Sequence, residues 1–204
     1  MTQVDSVILR KIFGLSKELG KVSFQQIVYE STGFDIIPIN RKEIHDKALI
    51  DILQNIIKSF LKTSKSARSR YHGDRVNEVG RRIEDVLVHE MNKQPLQVTK
   101  LVKPGYPDIQ IQQENDRITY LELKTSSVKE KSGFRYFYYT RGNKIKSNAR
   151  HLLLNIAVSE ESPKYWKIDN WVLSDLSKLE VKLKCEFNAS KTDIIEEKSK
   201  IISS

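Results

Sequence analysis

Cysteine is nearly absent from this sequence, in which Cys185 is the single thiol. One cysteine excludes an internal disulfide and a metal centre built from cysteines, so Cys185 is most simply a small buried hydrophobic residue. Apolar residues never continue for the roughly 18 positions that a transmembrane helix needs. The N-terminus also lacks a basic flank followed by an apolar signal core. We therefore expect a soluble, cytoplasmic protein with no membrane partner.

Positive charge is what the sequence has in excess. It contains 35 lysines and arginines against 26 aspartates and glutamates, which gives a formal net charge of +9. This balance favours a polyanionic partner, because lysine and arginine gain affinity by releasing counterions from a phosphate backbone. An anionic membrane surface would also fit the charge. The length of 204 residues allows one compact domain, or one domain with a small helical extension.

The segment 105–124 has the pattern of a β-hairpin. Ile109 and Ile111 alternate with glutamines, a polar run centred on Asn115 interrupts them, and a second apolar strand follows. With Asn115 at the centre of the turn, Asp108 lies opposite Glu122. The apolar residues of both strands then share the other face, where a core would form.

Asp108 and Glu122 are predicted to lie side by side, with Lys124 two residues further along the same face. Neighbouring carboxylates repel each other, whereas a divalent cation between them reverses the sign of that interaction. Mg²⁺ is the natural occupant, since it prefers oxygen ligands and needs only one or two carboxylates. Lys124 would then hold or help deprotonate an attacking water, or stabilise charge that builds up on a phosphate.

These residues carry a family resemblance. Pro107-Asp108 followed by Glu122-Leu123-Lys124 resembles the PD-(D/E)xK nuclease motif, and most closely its type II restriction endonuclease branch. Upstream, the segment 80–87 resembles the family pattern Gly-x-x-aromatic/aliphatic-Glu-x-x-Leu, in which Glu84 takes the position of the glutamate. Glu78 is the second candidate for that role, and a simple ion pair of Glu84 with Arg81 or Arg82 is the structural alternative.

The resemblance covers about residues 75–160. It implies an α/β (α+β) fold in which helices flank a mixed β-sheet. It further implies a homodimer that cleaves double-stranded DNA at a specific, palindromic sequence and leaves 5′-phosphate and 3′-hydroxyl ends. Asp108 and Glu122 would bind Mg²⁺ together with the backbone carbonyl of Leu123, Mn²⁺ would substitute, and Ca²⁺ would bind without turnover. A cognate DNA methyltransferase would be encoded separately.

Two other function classes stay open. A structure-selective nuclease, such as a junction resolvase or repair enzyme, would have the same site, and a basic DNA-binding regulator would not use it for catalysis. The chain carries neither the ATPase motif Gly-x4-Gly-Lys-Ser/Thr nor a methyltransferase-like glycine loop. Together with the length, this favours a free-standing restriction enzyme.

The remaining segments predict the organisation of the domain. We divide the chain into an N-terminal helical bundle (1–62), a basic linker (63–74), a nuclease core (75–190) and a polar tail (191–204). The apolar residues of the helix at about 41–61 recur at helical spacing. They are predicted to serve packing or dimerisation more readily than DNA contact. Leu152 to Val158 is predicted to be a central strand in preference to a buried helix turn, and 125–133 a loop near the site.

Candidate DNA contacts fall in two basic segments. The first follows an aromatic run and mixes basic and amide side chains without an acidic residue between them: Arg141, Asn143, Lys144, Lys146, Asn148 and Arg150. The second is the linker, with Lys65, Arg68 and Arg70, for which a solvated linker is the alternative. His151, beside three leucines, is predicted to be a buried histidine more readily than a general base.

Overall fold

The computed structural model describes residues 21–64, 71–128 and 143–182, together with Lys11, Gly14 and Tyr139. The helices are α1 (Phe24–Thr32), α2 (Ile44–Ser64) and α3 (Val76–Met91). The strands are β1 (Lys21–Ser23), β2 (Tyr71–His72), β3 (Gln97–Lys100), β4 (Ile109–Gln113), β5 (Arg117–Ser127), β6 (Arg150–Ser162), β7 (Tyr165–Asp175) and β8 (Glu180–Lys182). Within these ranges, no helix combines the length and apolar character that a membrane span requires.

Six strands form one mixed sheet in the order β2-β7-β6-β5-β4-β3. The central pair, β5 and β6, is parallel, with Leu121 beside Leu152, and every other pair is antiparallel. Buried residues dominate both central strands, as expected where a strand has neighbours on each side. This α+β arrangement confirms the predicted fold class, and β6 confirms the central strand predicted at 152–158.

The β4–β5 hairpin has the register that the sequence predicts. Ile109 pairs with Leu121, and Ile111 pairs with Thr119, across a short 3₁₀ turn at Glu114–Asp116. Asn115, at the centre of the turn, has a φ of 59°, in the left-handed region that asparagine tolerates better than most residues. The strand continues to Ser127, so the loop predicted from residue 125 begins later than expected, and 129–133 lies outside the described residues.

One hydrophobic core joins the sheet to two of the helices. Its buried members include Leu53 and Ile57 of α2, Ile83 of α3 and Leu121 of β5. Helix α2 contacts α3 and β7, and α3 contacts β5, β2 and β3. The apolar stripe of α2 therefore packs within the chain, and of the two predicted uses, packing and dimerisation, the structure shows packing. Among the large apolar residues of α2 that the structure describes, Ile44 is strongly exposed, at 74%.

The described residues 23–179 form one compact unit that includes α1, α2 and the sheet. This grouping differs from the division at residue 62 that the sequence predicts, because α2 shares its core with the strands that follow. Strands β1 and β8 pair separately as a two-stranded sheet.

Candidate active site

The β4–β5 hairpin brings Asp108, Glu122 and Lys124 together. Strand β4 begins at Ile109, so the backbone of Leu123 extends beyond its last partner on that side. No residue of β4 pairs with Leu123. Instead, Oδ2 of the Asp108 carboxylate accepts a hydrogen bond of 2.9 Å from the Leu123 N–H. The Lys124 ammonium donates to Glu122 Oε1. A backbone amide and a lysine thus orient the two carboxylates.

Glu122 lies in an unusual environment for a glutamate, since it is only 3% exposed. Burial and the neighbouring charge of Asp108 raise the pKa of its carboxyl group to about 7, and Lys124 partly opposes them. Among the described residues, Glu122 Oε2 is buried without a hydrogen-bond partner. This carboxyl group therefore has a high affinity for a positive charge, whether a proton or a metal cation.

Asp108 and Lys124 line an open cleft of about 320 Å³, to which α3 contributes Glu84. Gly80, one turn before Glu84, allows α3 to approach β5 closely. A Cβ atom on Gly80 would lie 3.1 Å from Thr125 Oγ1 and 3.2 Å from Thr125 Cβ, which is tighter than ordinary van der Waals contact. Gly80 therefore determines how closely α3 approaches β5, and this distance in turn determines how close Glu84 lies to the cleft.

Glu84 forms an ion pair with Lys100 of β3, whose Nζ lies 2.9 Å from Glu84 Oε1. Lys100 also contacts Asp85 at 2.6 Å, and the hydrogen bonds that its ammonium donates to Asp85 and Glu84 raise its pKa. Glu78, the other candidate, instead accepts a hydrogen bond from the Asp74 N–H at the start of α3. The structure thus brings Glu84, not Glu78, to the cleft, and Glu84 pairs with a lysine that sequence reasoning missed.

The role of Lys100 could not be predicted because its partners, Asp85 and Glu84, lie 15 and 16 residues away on α3. The sequence shows only a lysine in a short segment of alternating polar and apolar residues, a feature that many surface strands share. Strand β3 pairs antiparallel with β4, which places Lys100 beside Ile109 and hence next to Asp108.

The residues at this site fit a hard divalent cation. Two adjacent carboxylates supply anionic oxygens, and one of those oxygens is buried without a hydrogen-bond partner among the described residues. In the described ranges, no three aspartate, glutamate, histidine or cysteine side chains converge as a full cage. Such a donor set suits Mg²⁺, which keeps water or substrate phosphate in its remaining positions.

The described part of the basic segment, 143–150, divides into two groups. Asn143 and Lys146 have exposed side chains, and Asn148 is exposed while its Oδ1 accepts a hydrogen bond from the Asp35 N–H. Lys144 donates three hydrogen bonds to backbone carbonyls of the same chain. The predicted contacts Arg141, Lys65, Arg68 and Arg70 lie outside the described residues.

Arg150 does not have the exposed position that its predicted role in DNA contact requires. It is 8% exposed, and its Nε lies 2.6 Å from Oδ1 of the fully buried Asp46. Burial alone would raise the pKa of Asp46, but hydrogen bonds from the Asn40 N–H and from Arg117 and Arg150 hold it below its usual range. Arg150 therefore neutralises a buried carboxylate that fastens α2 to the sheet.

His151 is fully buried, as the sequence predicts for a structural histidine. Its Nδ1 forms a hydrogen bond of 2.6 Å with the Tyr106 hydroxyl, and burial lowers its pKa to about 4.

A larger cavity, of about 590 Å³, is lined by Arg41, Trp171 and Asp175 among others. Both carboxylate oxygens of Asp175 already accept hydrogen bonds from backbone N–H groups.

Comparison with known proteins identifies the family. The sequence model of the MjaV family of type II restriction enzymes matches residues 18–198. The chain belongs to this family. The type II restriction enzyme MjaV of Methanocaldococcus jannaschii is 32% identical over 209 aligned residues, which cover 92% of this chain and 89% of the relative. Membership in the MjaV family confirms the resemblance to type II restriction endonucleases. It also extends that resemblance to the N-terminal helices, which the catalytic motif did not include.

Proposed function

We propose that this member of the MjaV family is a Mg²⁺-dependent endodeoxyribonuclease that cuts double-stranded DNA at a specific, palindromic sequence. The products would carry 5′-phosphate and 3′-hydroxyl ends. The observation that carries this proposal is the group of Asp108, Glu122 and Lys124, of which Asp108 and Lys124 line an open cleft, on a chain whose family consists of type II restriction enzymes.

Asp108 and Glu122 would hold the cation, with the Leu123 carbonyl as a further ligand. When bound, Mg²⁺ supplies positive charge to the scissile phosphate and lowers the pKa of a coordinated water. The high proton affinity of Glu122 supports this assignment, since a carboxyl group that resists ionisation alone is stabilised as an anion by a neighbouring cation. Mn²⁺ would substitute, and Ca²⁺ would bind without turnover.

Lys124 contributes a positive charge beside both carboxylates. Its ammonium donates to Glu122, so its position is fixed before substrate arrives. From there it would orient the attacking water or stabilise the charge that develops on the phosphate. Asn143 and Lys146 have exposed side chains. They are candidates for DNA contact among the described residues.

Cleavage of both strands at a palindromic site requires two equivalent active sites related by the twofold axis of the DNA. We therefore propose that the enzyme acts as a homodimer and that a separate DNA methyltransferase protects the host sites. Because the apolar stripe of α2 is buried within the chain, the dimer must use another surface. Sedimentation that shows a monomer both free and on cognate DNA would contradict this part of the proposal.

The decisive experiment incubates the protein with unmethylated phage DNA and Mg²⁺. Discrete fragments support a restriction enzyme, cutting of branched junctions alone would indicate a resolvase, and retained binding without cutting would indicate a regulator. Asp108→Ala and Glu122→Ala should abolish cleavage while DNA binding persists, and Lys124→Ala should remove most turnover. Glu114→Ala, which removes an exposed carboxylate from the turn of the same hairpin, is the matched control. Full activity of either carboxylate variant would refute the site.

A further inference from the structure

Lys144 lies in the predicted DNA-binding segment, but its ammonium is directed into the protein. Its Nζ donates to the backbone carbonyls of Leu101, at 2.8 Å, and Pro107, at 2.6 Å, and also to the carbonyl of Gly105. An ammonium group has three N–H donors, so these three carbonyls engage all of them. A contact with DNA phosphate would require breaking at least one of these bonds.

The three acceptors belong to one segment, 101–107, which leads directly into Asp108. Its two ends meet where the Leu101 N–H donates to the Asp108 carbonyl at 2.7 Å. Pro107, whose carbonyl Lys144 holds, immediately precedes Asp108. Lys144 therefore fixes the backbone from which the Asp108 carboxylate projects toward the Leu123 N–H.

The charge of Lys144 also acts on the site. Burial lowers the pKa of its ammonium, while the carboxylates of Asp108, Glu122 and Glu84 oppose that effect. These carboxylates are therefore close enough to Lys144 to interact electrostatically. The charge of Lys144 partly offsets their mutual repulsion, and a neutral side chain would not.

We propose that Lys144 is a positioning residue for the candidate active site, which holds the 101–107 segment so that Asp108 stays opposite Glu122, and that it does not contact DNA. The expected effect on catalysis rests on the proposed nuclease function. The clamp, which we define as the three hydrogen bonds from Lys144 to the 101–107 segment, is a property of the free protein. The clamp and its effect on catalysis can therefore be tested separately.

The first test is the rate of lysine acetylation in the free protein, followed by mass spectrometry, with Lys146 as the internal control. Lys146 is two residues away and exposed, so it should react readily. Lys144 should react at least about tenfold more slowly without DNA, because its ammonium is engaged in three hydrogen bonds. Equal reactivity of the two lysines in the free protein, with protection of Lys144 only on DNA binding, would overturn the proposal.

The second test compares Lys144→Met, Lys144→Arg and the control Lys178→Met, which removes an exposed lysine that has no proposed role at the site. Misplacement of a catalytic group by about 1 Å costs on the order of 10²-fold in rate, so Lys144→Met should lower kcat by about that factor and leave KM for cognate DNA within about twofold. Arginine keeps the charge but directs its donors in a fixed plane, so it should not restore kcat. Lys178→Met should leave both kcat and KM unchanged.

A reporter separates positioning of Asp108 from general stability. The Leu123 amide donates to the Asp108 carboxylate, so its hydrogen exchange measures whether that carboxylate is in place. Lys144→Met should accelerate exchange at Leu123 while amides of β6 keep their protection. Unchanged exchange at Leu123, or full kcat in Lys144→Met, would overturn the inference. If the variant does not fold, the acetylation experiment on the unmodified chain decides. If the wild-type protein cuts no DNA although Lys144 resists acetylation, the nuclease proposal fails and the clamp stands.

Discussion

Replacement of Glu122 by glutamine should stabilise the metal-free protein at alkaline pH. Glutamine has nearly the same shape and keeps a carbonyl oxygen that can accept the hydrogen bond from Lys124, but it carries no charge. The wild-type carboxyl group is buried beside Asp108, so ionisation opposes folding. The variant removes that cost and leaves the packing of the hairpin in place.

The magnitude follows from the pKa. Burial and Asp108 raise the pKa of Glu122 from 4.5 to about 7. At about 1.4 kcal/mol for each pKa unit, this difference corresponds to roughly 3 kcal/mol of stability. Because the folded state holds the proton more tightly, that stability is fully present below pH 4.5 and is lost as the pH rises through about 7. Between about pH 5 and pH 8, the wild-type protein should lose about 2.5 kcal/mol that the variant keeps.

The assay is urea-induced unfolding, with EDTA present, at about pH 5 and about pH 8. The stability difference between Glu122→Gln and wild type should increase by about 2 to 3 kcal/mol from the lower to the higher pH. Glu114→Gln, which removes a charge from the exposed turn, should show no such increase. Equal stability differences at the two pH values would refute the reasoning, since they would mean that Glu122 ionises without cost in the folded protein.

Three further predictions test other residues. Arg150→Met should lower the free energy of unfolding by roughly 3 kcal/mol, because the buried Asp46 loses a partner, and should leave the ratio of cognate to random DNA affinity unchanged. A change in that ratio without loss of stability would return Arg150 to the DNA interface. Lys146→Ala should weaken binding to all DNA sequences and reduce the salt slope by roughly one. Titrations in which both quantities match the wild type would exclude a phosphate contact there. Gly80→Ala should cost less stability, by about 1 kcal/mol or more, in a Thr125→Gly background than in the wild type, because glycine at 125 lacks both the Oγ1 and the Cβ that a Cβ on residue 80 would meet. Additive effects in thermal unfolding would contradict the close approach of α3 to β5.

The sequence by itself determined the hairpin and the central part of the candidate site. Adjacent strands joined by a short turn have a register fixed by the turn position, and the alternation of apolar residues decides which face is buried. Asn115 at the turn and the isoleucines of β4 were enough to place Asp108 opposite Glu122, with Lys124 beside them. These relations are local, so no other part of the chain could change them without exposing apolar side chains.

Helical periodicity was equally informative about where α2 and α3 lie, but not about what they contact. An apolar stripe must be buried, and either a second subunit or the same chain can bury it. The structure assigns the stripe of α2 to the core that it shares with α3 and the sheet. Similarly, Glu84 could be placed at the edge of a buried face, but its pairing with Lys100 depends on how α3 packs beside β3.

The basic segment shows what only the tertiary structure decided. Lysine and arginine bind phosphates, backbone carbonyls and carboxylates with the same N–H donors, so the sequence could not distinguish these partners. Lys144 donates to carbonyls 37 to 43 residues away, and Arg150 of β6 contacts Asp46, which lies on a different element, α2. The lysine and arginine side chains of this segment all carry the same charge. Those that lie near a carbonyl or a buried carboxylate of the same chain bind it, and the others remain available to contact DNA.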